Sequence, residues 1–424
     1  MTFGPELKRT REHLVNEVVD AHHDDLIRLS CEIHAHPELN YEERYASKLL
    51  ADALESWGFA VERGVGNVET AFRASVGSGP PTIAFLAEYD ALPDIGHGCG
   101  HNLIAISNVG AGLGAKVGLS GLNGRIQVIG TPAEEGGGGK IHLIEAGVFT
   151  EVDLALSSHP SGNLTIIPTD SENPITGLAM IGFRYAYHGK SAHAAVAPHE
   201  GVNALNAVLR LFSGIDTLRQ HLRDDVRIHG VITDGGKAPN VVPDFAAANF
   251  MLRSRDREYL QVVVERVRHV AEGAALETGA RLEILPYYPF PTPKGTHTMY
   301  ENARPNSVLL RIARHNADAA GLVVDQPPLG RRPGGASTDF GNVSQILPAA
   351  LVRFAVSDRP VPGHSLALRD AAITDLAHHN ALAVAKTLAL TALDVLADPA
   401  LLDEVRADFT RTDRNQLAGP VDTG

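Results

Sequence analysis

Only two cysteines, Cys31 and Cys99, occur in 424 residues. That is too few for a disulfide framework and fits a reducing, cytoplasmic setting. Basic residues are also short: 37 Lys and Arg stand against 50 Asp and Glu, a formal net charge of −13. No basic block occurs, which argues against nucleic acid and anionic membrane as partners. No apolar run suggests a membrane span. Residues 1–11 are polar and lack the apolar stretch of a secretory signal. Internal repeats and low-complexity tracts are missing too. What is present is the composition of a globular protein with many turns: 44% hydrophobic, 21% charged, 41 Gly and 25 Pro. The length exceeds what one core serves, so two or three domains are expected. The 20 histidines are many for this length and make a metal site worth seeking.

Residue spacing predicts a helix over residues 10–34, with Leu14, Val18, Ala21, Asp25, Leu29 and Ile33 at roughly helical intervals and Leu26 and Ile27 widening the stripe. A second helix is expected over 42–57, ended by Gly58, then strands over 60–63, 70–76 and 82–87. A small-residue helix over 103–119 can pack closely on a sheet, and strands follow at 125–130 and 153–157. From about residue 178 the rhythm changes, and Ile181, Phe183, Tyr185 and Tyr187 alternate as a half-buried strand does. Helices over 202–221 and 256–277, with strands over 226–233, 245–253 and 281–285, complete a βαββαβ order, the ferredoxin-like split pattern. Pro286, Pro289, Pro291 and Pro293 read as an exit linker. Beyond residue 301 a strand at 347–356 and a helix at 371–396 are too little for a second sheet, so this tail is expected to complete the first domain. The fold class is therefore α/β, with a main domain over 1–177 and 293–424 and a ferredoxin-like insertion over 178–292.

Three successive strands run out into chemically loaded loops. The first leads to Gly96-His97-Gly98-Cys99-Gly100-His101-Asn102, the second to Thr131-Pro132-Ala133-Glu134-Glu135, the third to Ser158-His159-Pro160. In a parallel α/β sheet, ligands sit outside the carboxyl ends of strands. Cys99 and His101 are two apart, so an extended loop points both side chains to one side. Thiolate, imidazole and carboxylate are zinc ligands, and a catalytic site keeps a position for water. Glu134 and Glu135 are adjacent and diverge, so one can bind metal while the other takes a proton from water. His159 and His364, in Pro362-Gly363-His364-Ser365, offer further nitrogens. Five donors exceed the needs of one tetrahedral ion and fit two divalent ions sharing a ligand, roughly 3.5–4 Å apart. Zinc is favoured, with manganese and cobalt as alternatives. Asp90 reads as a carboxylate that orients a histidine ligand. Each residue also has a plainer reading: surface glutamates, a His-Pro turn, a thiol buried as a small hydrophobe. Their coincidence at three strand ends favours metal. His97 is assigned to loop shape. His193 is either a loop histidine or a donor to a scissile carbonyl, and Asn240 either a turn residue or an amide reaching substrate. His22, His23, His378 and His379 are expected at the surface.

These stretches resemble the aminoacylase/carboxypeptidase-like dinuclear zinc metallopeptidases, in their amidohydrolase branch, and most of all the β-alanyl-lysine-type dipeptidase and aminobenzoyl-glutamate hydrolase group. The resemblance rests on Ala87-Glu88-Tyr89-Asp90-Ala91-Leu92-Pro93, the Cys99 loop, Gly130-Thr131-Pro132-Ala133-Glu134-Glu135, Ser191-Ala192-His193, Gly236-Lys237-Ala238-Pro239-Asn240 and Ser337-Thr338-Asp339-Phe340-Gly341, and runs from about residue 25 to 390. It implies a zinc-peptidase-like domain with a central mixed sheet, and an insertion serving as lid and dimerisation domain. It implies a homodimer hydrolysing the amide bond of a small N-acyl amino acid or dipeptide. By position, Cys99, His101, Glu135, His159 and His364 would bind metal and Glu134 would be the general base. His193 would reach into the partner's active site, and Asn240 and Arg253 would hold the substrate's carboxylate or tail. The rival readings are a non-catalytic metal or ligand-binding protein of the same fold, and an aminopeptidase on longer peptides.

Overall fold

The computed structural model describes residues 5–168, 177–287, 299–325 and 335–417. The chain forms two compact units. Unit 1 comprises Met1–Ile175, Arg304–Gly334 and Asn342–Gly424; unit 2 comprises Thr176–Ala303 with Gly335–Gly341. Unit 2 therefore carries on past residue 292 and takes a short return segment that no periodicity announced. Pro289, Pro291 and Pro293 lie outside the described residues.

Unit 1 is built on a six-stranded mixed sheet: β1 (Ala60–Arg63), β2 (Phe72–Ser78), β3 (Thr82–Ala87), β4 (Gly124–Gly130), β5 (Leu154–Ser161) and, from the far end of the chain, β10 (Ala349–Ala355). The order is β1-β2-β4-β3-β5-β10. The first two contacts are antiparallel and the other three parallel. β3 is buried along its whole length, which is why a continuous apolar run marks it rather than an alternation. β10 aligns Arg353 with His159 across a parallel pair.

Among the described residues, five α-helices precede the insertion: α1 (Pro5–Ala21), α2 (His23–Ala35), α3 (Arg44–Ser56), α4 (His101–Gly118) and α5 (Gly139–Glu145). The single helix expected over 10–34 is two. His22 separates them, its imidazole bonded to the Val18 carbonyl at 2.9 Å. The stripe also sits one position further along, with Val15 and Val19 fully buried and Leu14 38% exposed. α4 is packed on both sides, against the sheet and against the helix Asp375–Ala397. A Cβ on Gly112 would lie 2.3 Å from Val128 Cγ2, and one on Gly118 2.2 Å from Leu393 Cδ1. Asp375–Ala397 is, against expectation, long and apolar enough to cross a membrane, but its side chains fill the core of unit 1. His378 on this helix is buried, not at the surface, and meets the Ser30 hydroxyl at 3.1 Å.

Unit 2 has β6 (Ala179–His188), α6 (Ala204–Arg219), β7 (Arg227–Asp234), β8 (Phe245–Ser254), α7 (Arg257–Thr278) and β9 (Arg281–Pro286). The sheet is antiparallel, in the order β7-β8-β6-β9, which is the ferredoxin-like arrangement. Its core gathers Tyr185, Tyr187, Phe250 and Leu252 of the sheet with Leu211, Ile215, Val263 and Val267 of the helices. Asn203 and Asp256 start the helices by accepting backbone N–H groups of the first turn. Gly279, at φ 75°, ends α7.

Candidate metal centre

Beyond β3 the chain passes through Glu88 and Asp90 into the loop that starts α4. Gly100 is left-handed at φ 78°, and a Cβ there would lie 2.9 Å from Pro160 Cγ. Glycine thus lets this loop close onto the end of β5. Cys99 Sγ comes to 3.5 Å from His159 Nε2. His101, the first residue of α4, is fully buried. Its Nδ1–H donates to Asp90 Oδ1 at 3.0 Å, which fixes the ring so that Nε2 faces the centre. The other Asp90 oxygen accepts the Glu135 backbone N–H at 2.9 Å. One carboxylate therefore positions donors from two different loops.

Glu135 Oε1 lies 3.6 Å from His101 Nε2, and Glu135 Oε2 lies 3.4 Å from His364 Nε2. His364 arrives on a distant loop, at φ 54°, with its N–H bonded to Gly98 O at 3.0 Å. Three donor triads result among the described residues, Cys99/His101/His159, Cys99/Glu135/His364 and Glu88/His101/Glu134, each with its ligand atoms within 4.8 Å of one another. All five expected donors come together in the first two, which share the Cys99 sulfur.

The chemistry of the set fits metal. His101 Nε2 and Glu135 Oε1 are enclosed, face each other, and have no hydrogen-bond partner among the described residues. Two enclosed polar atoms that face each other unpartnered are costly unless a cation, a proton or a metal ion, lies between them. Burial, helped by the charges of Arg353 and His101, pushes His159 down to about 3, so its imidazole is the neutral, metal-binding form. Burial and the Glu135 carboxylate push the Cys99 thiol up, so its proton leaves in exchange for a cation. Burial likewise raises Glu135.

Glu134 is 5% exposed, with Oε2 3.8 Å from His101 Nε2. Three further buried charges were not singled out from the sequence. Glu88 Oε2 lies 3.7 Å from His101 Nε2, and its Oε1 pairs with the fully buried Lys140 ammonium at 2.7 Å. Glu88 precedes Asp90 by two, the same spacing that marked Cys99 and His101, and that signal was readable. Glu43, just ahead of α3, accepts the Ala133 N–H at 2.9 Å and the Thr70 hydroxyl at 2.9 Å. It thereby holds Ala133, at φ 60°, in the turn that presents Glu134. Burial and the nearby Asp90 charge raise Glu43 to about 8.

His97 is buried and bonds the Ile33 carbonyl at 3.0 Å, so it shapes the loop. In unit 2 the His193 and Asn240 loops are knitted together by Ala194 N–H to Asn240 O at 3.1 Å and Val242 N–H to Ala192 O at 3.0 Å. His193 is exposed, and its Nδ1 accepts the N–H groups of Ala195 and Val196, both at 3.3 Å, so its proton sits on Nε2. Arg253 is not brought to these loops. It occupies the other end of β8, opposite Met180, while Phe245 pairs with His188. Eight residues of strand, roughly 26 Å at about 3.3 Å each, separate the two ends.

Donors gathered around a shared thiolate at the carboxyl ends of parallel strands are the equipment of a two-metal hydrolase. Comparisons with known proteins agree. The M20 peptidase dimerisation domain profile matches residues 179–279. The chain is 36% identical over 416 residues to the Xaa-Arg dipeptidase of Homo sapiens, covering 93% of this chain and 90% of that one. It is 32% identical over 470 residues to one of the subunits of the p-aminobenzoyl-glutamate hydrolase of Escherichia coli strain K12, covering 96% of each. Among solved structures, the YXEP protein of Bacillus subtilis, a dinuclear metal binding peptidase of the M20 family, has the same fold. Its TM-score is 0.68 at 22% identity, over 89% of this chain and 99% of that one. The chain belongs to the M20 family of metallopeptidases.

Proposed function

We propose that the chain hydrolyses the amide bond of a small N-acyl amino acid or dipeptide. Cys99, His101 and His159 would hold one ion, and Cys99, Glu135 and His364 the other. The Cys99 sulfur shared by two of the three triads, beside the buried Glu134 carboxylate that belongs only to the third, is the observation that carries this reading. Two divalent ions bound there would supply Lewis acidity and a water that ionises near neutral pH. Thiolate with imidazole favours zinc among the candidates, and a reducing, cytoplasmic setting would keep Cys99 a thiol.

Glu134 takes the proton of the attacking water and passes it to the leaving amine. Asp90 keeps the His101 tautomer fixed, and Glu43 holds the turn that aims Glu134. His193, with its proton on Nε2, would steady the developing oxyanion. The relatives named for dipeptides and for aminobenzoyl-glutamate support small substrates, and the dimerisation profile supports a homodimer.

Glu134→Ala is expected to keep its metal by elemental analysis and to lose about 10²–10⁴-fold in hydrolysis of a panel of acyl amino acids and dipeptides. Near-parental turnover in that variant would remove Glu134 from the mechanism.

A further inference from the structure

One charged residue beside the centre has no task in the scheme above. Arg353 lies on β10, and its Cα partner on β5 is His159. Paired residues on neighbouring strands point to the same face of a sheet, so Arg353 projects alongside a metal-binding imidazole. Its charge reaches both His159 and the Cys99 thiol. The residue is half-buried, and its Nε is closed off from solvent without a hydrogen-bond partner among the described residues. No carboxylate among the described residues lies within ion-pair reach of the guanidinium. Lys140, the other enclosed cation near the site, is neutralised by Glu88 at 2.7 Å. Among the described residues Arg353 has no such counter-charge.

A half-buried guanidinium whose Nε is closed off from water lacks one hydrogen bond that an anion meeting it would supply. Next to two divalent cations it carries the wrong sign for holding metal, since like charges repel. The fork of donors on arginine suits a carboxylate, which it binds through two parallel hydrogen bonds.

We propose that Arg353 is a specificity-determining residue that receives a carboxylate of the substrate, so that the site favours anionic over neutral or cationic substrates at that position. This rests on the amide-hydrolase reading. The carboxylate is either the α-carboxylate of the leaving amino acid or a second one on its side chain.

The metal-loaded chain is assayed with two matched pairs. N-acetyl-glutamate against N-acetyl-glutamine isolates a second carboxylate; N-acetyl-leucine against N-acetyl-leucinamide isolates the α-carboxylate. In one pair the charged member should lead in kcat/KM by about tenfold or more, the range expected of a charged hydrogen bond. Arg353→Gln should collapse that ratio toward one, mainly through KM, and Arg353→Lys should keep part of it. Independently of turnover, glutarate should raise the thermal midpoint of the metal-loaded parent more than that of Arg353→Gln. Absence of charge preference in both pairs would overturn the proposal. So would an equal loss on all four substrates, which marks a structural role. A parent that turns over none of these substrates, nor any dipeptide of a panel, sinks the hydrolase reading instead, and the glutarate measurement then decides Arg353 alone: equal midpoint shifts overturn it.

Discussion

Asp90 is the residue on which two halves of the centre depend. It accepts the His101 Nδ1 proton through one oxygen and the Glu135 backbone N–H through the other. Burial works against its charge, but His101 and these hydrogen bonds outweigh burial and hold it ionised. Asp90→Asn would keep the shape but present an amide with one acceptor where two are needed, so the His101 tautomer is no longer fixed. Metal affinity should drop by about 10–100-fold, read by competition with a chromogenic chelator while circular dichroism confirms the fold. Unchanged affinity would show that the tautomer is set elsewhere. The five donors were legible because metal chemistry admits few residue types and strand ends limit where they stand. Lys140 was not, because the glycines after Glu135 give no hint that they bring a lysine to Glu88. Glu43 lies inside the helix expected over 42–57 without any motif to mark it, and only tertiary contact places it at Ala133. Arg353 lies inside the expected strand over 347–356, and only the register of β10 on β5 sets it beside His159.

At the scale of elements, α4 shows packing overruling intrinsic preference. Glycine is a poor helix former, and replacing one by alanine in an open helix gains about 1 kcal/mol. Gly112 is not open: its Cβ would stand 2.3 Å from a methyl of Val128 on β4, a side chain held stiff by its branching. Overpacking of this kind costs roughly 1–3 kcal/mol, so Gly112→Ala should lower the urea midpoint despite the better propensity. A higher midpoint would mean that sheet and helix can part at no cost. The same precedence of tertiary contact explains the helix expected over 10–34. Its periodicity is genuine, but Val15 and Val19 face the core in α1, Leu26, Leu29 and Ile33 in α2, and the junction at His22 lets each helix choose its own face. The strands were easier to read, since β3 and β6 carry their burial directly in continuous and alternating apolar runs.

For the whole molecule, the arrangement of unit 2 bears on how many copies build one active site. His193 and Asn240 stand at one end of its sheet and Arg253 at the other, eight strand residues away. A substrate of dipeptide size does not span that length, so if both ends serve one substrate they come from different copies. Two inactive variants test whether His193 is the contribution that comes from the other copy. In a Glu134→Ala chain paired with a His193→Ala chain, one site combines an intact Glu134 with the intact His193 of the other copy, and the second site lacks both. A heterodimer isolated with two different tags should therefore recover about half the parental activity, given two equivalent sites in a symmetric dimer, while each variant alone stays nearly inactive. If His193 served the centre of its own chain, both sites of the heterodimer would be defective and mixing would restore nothing. Sedimentation analysis of the parent supplies the necessary companion measurement, because a monomer with full activity would rule out any contribution across copies.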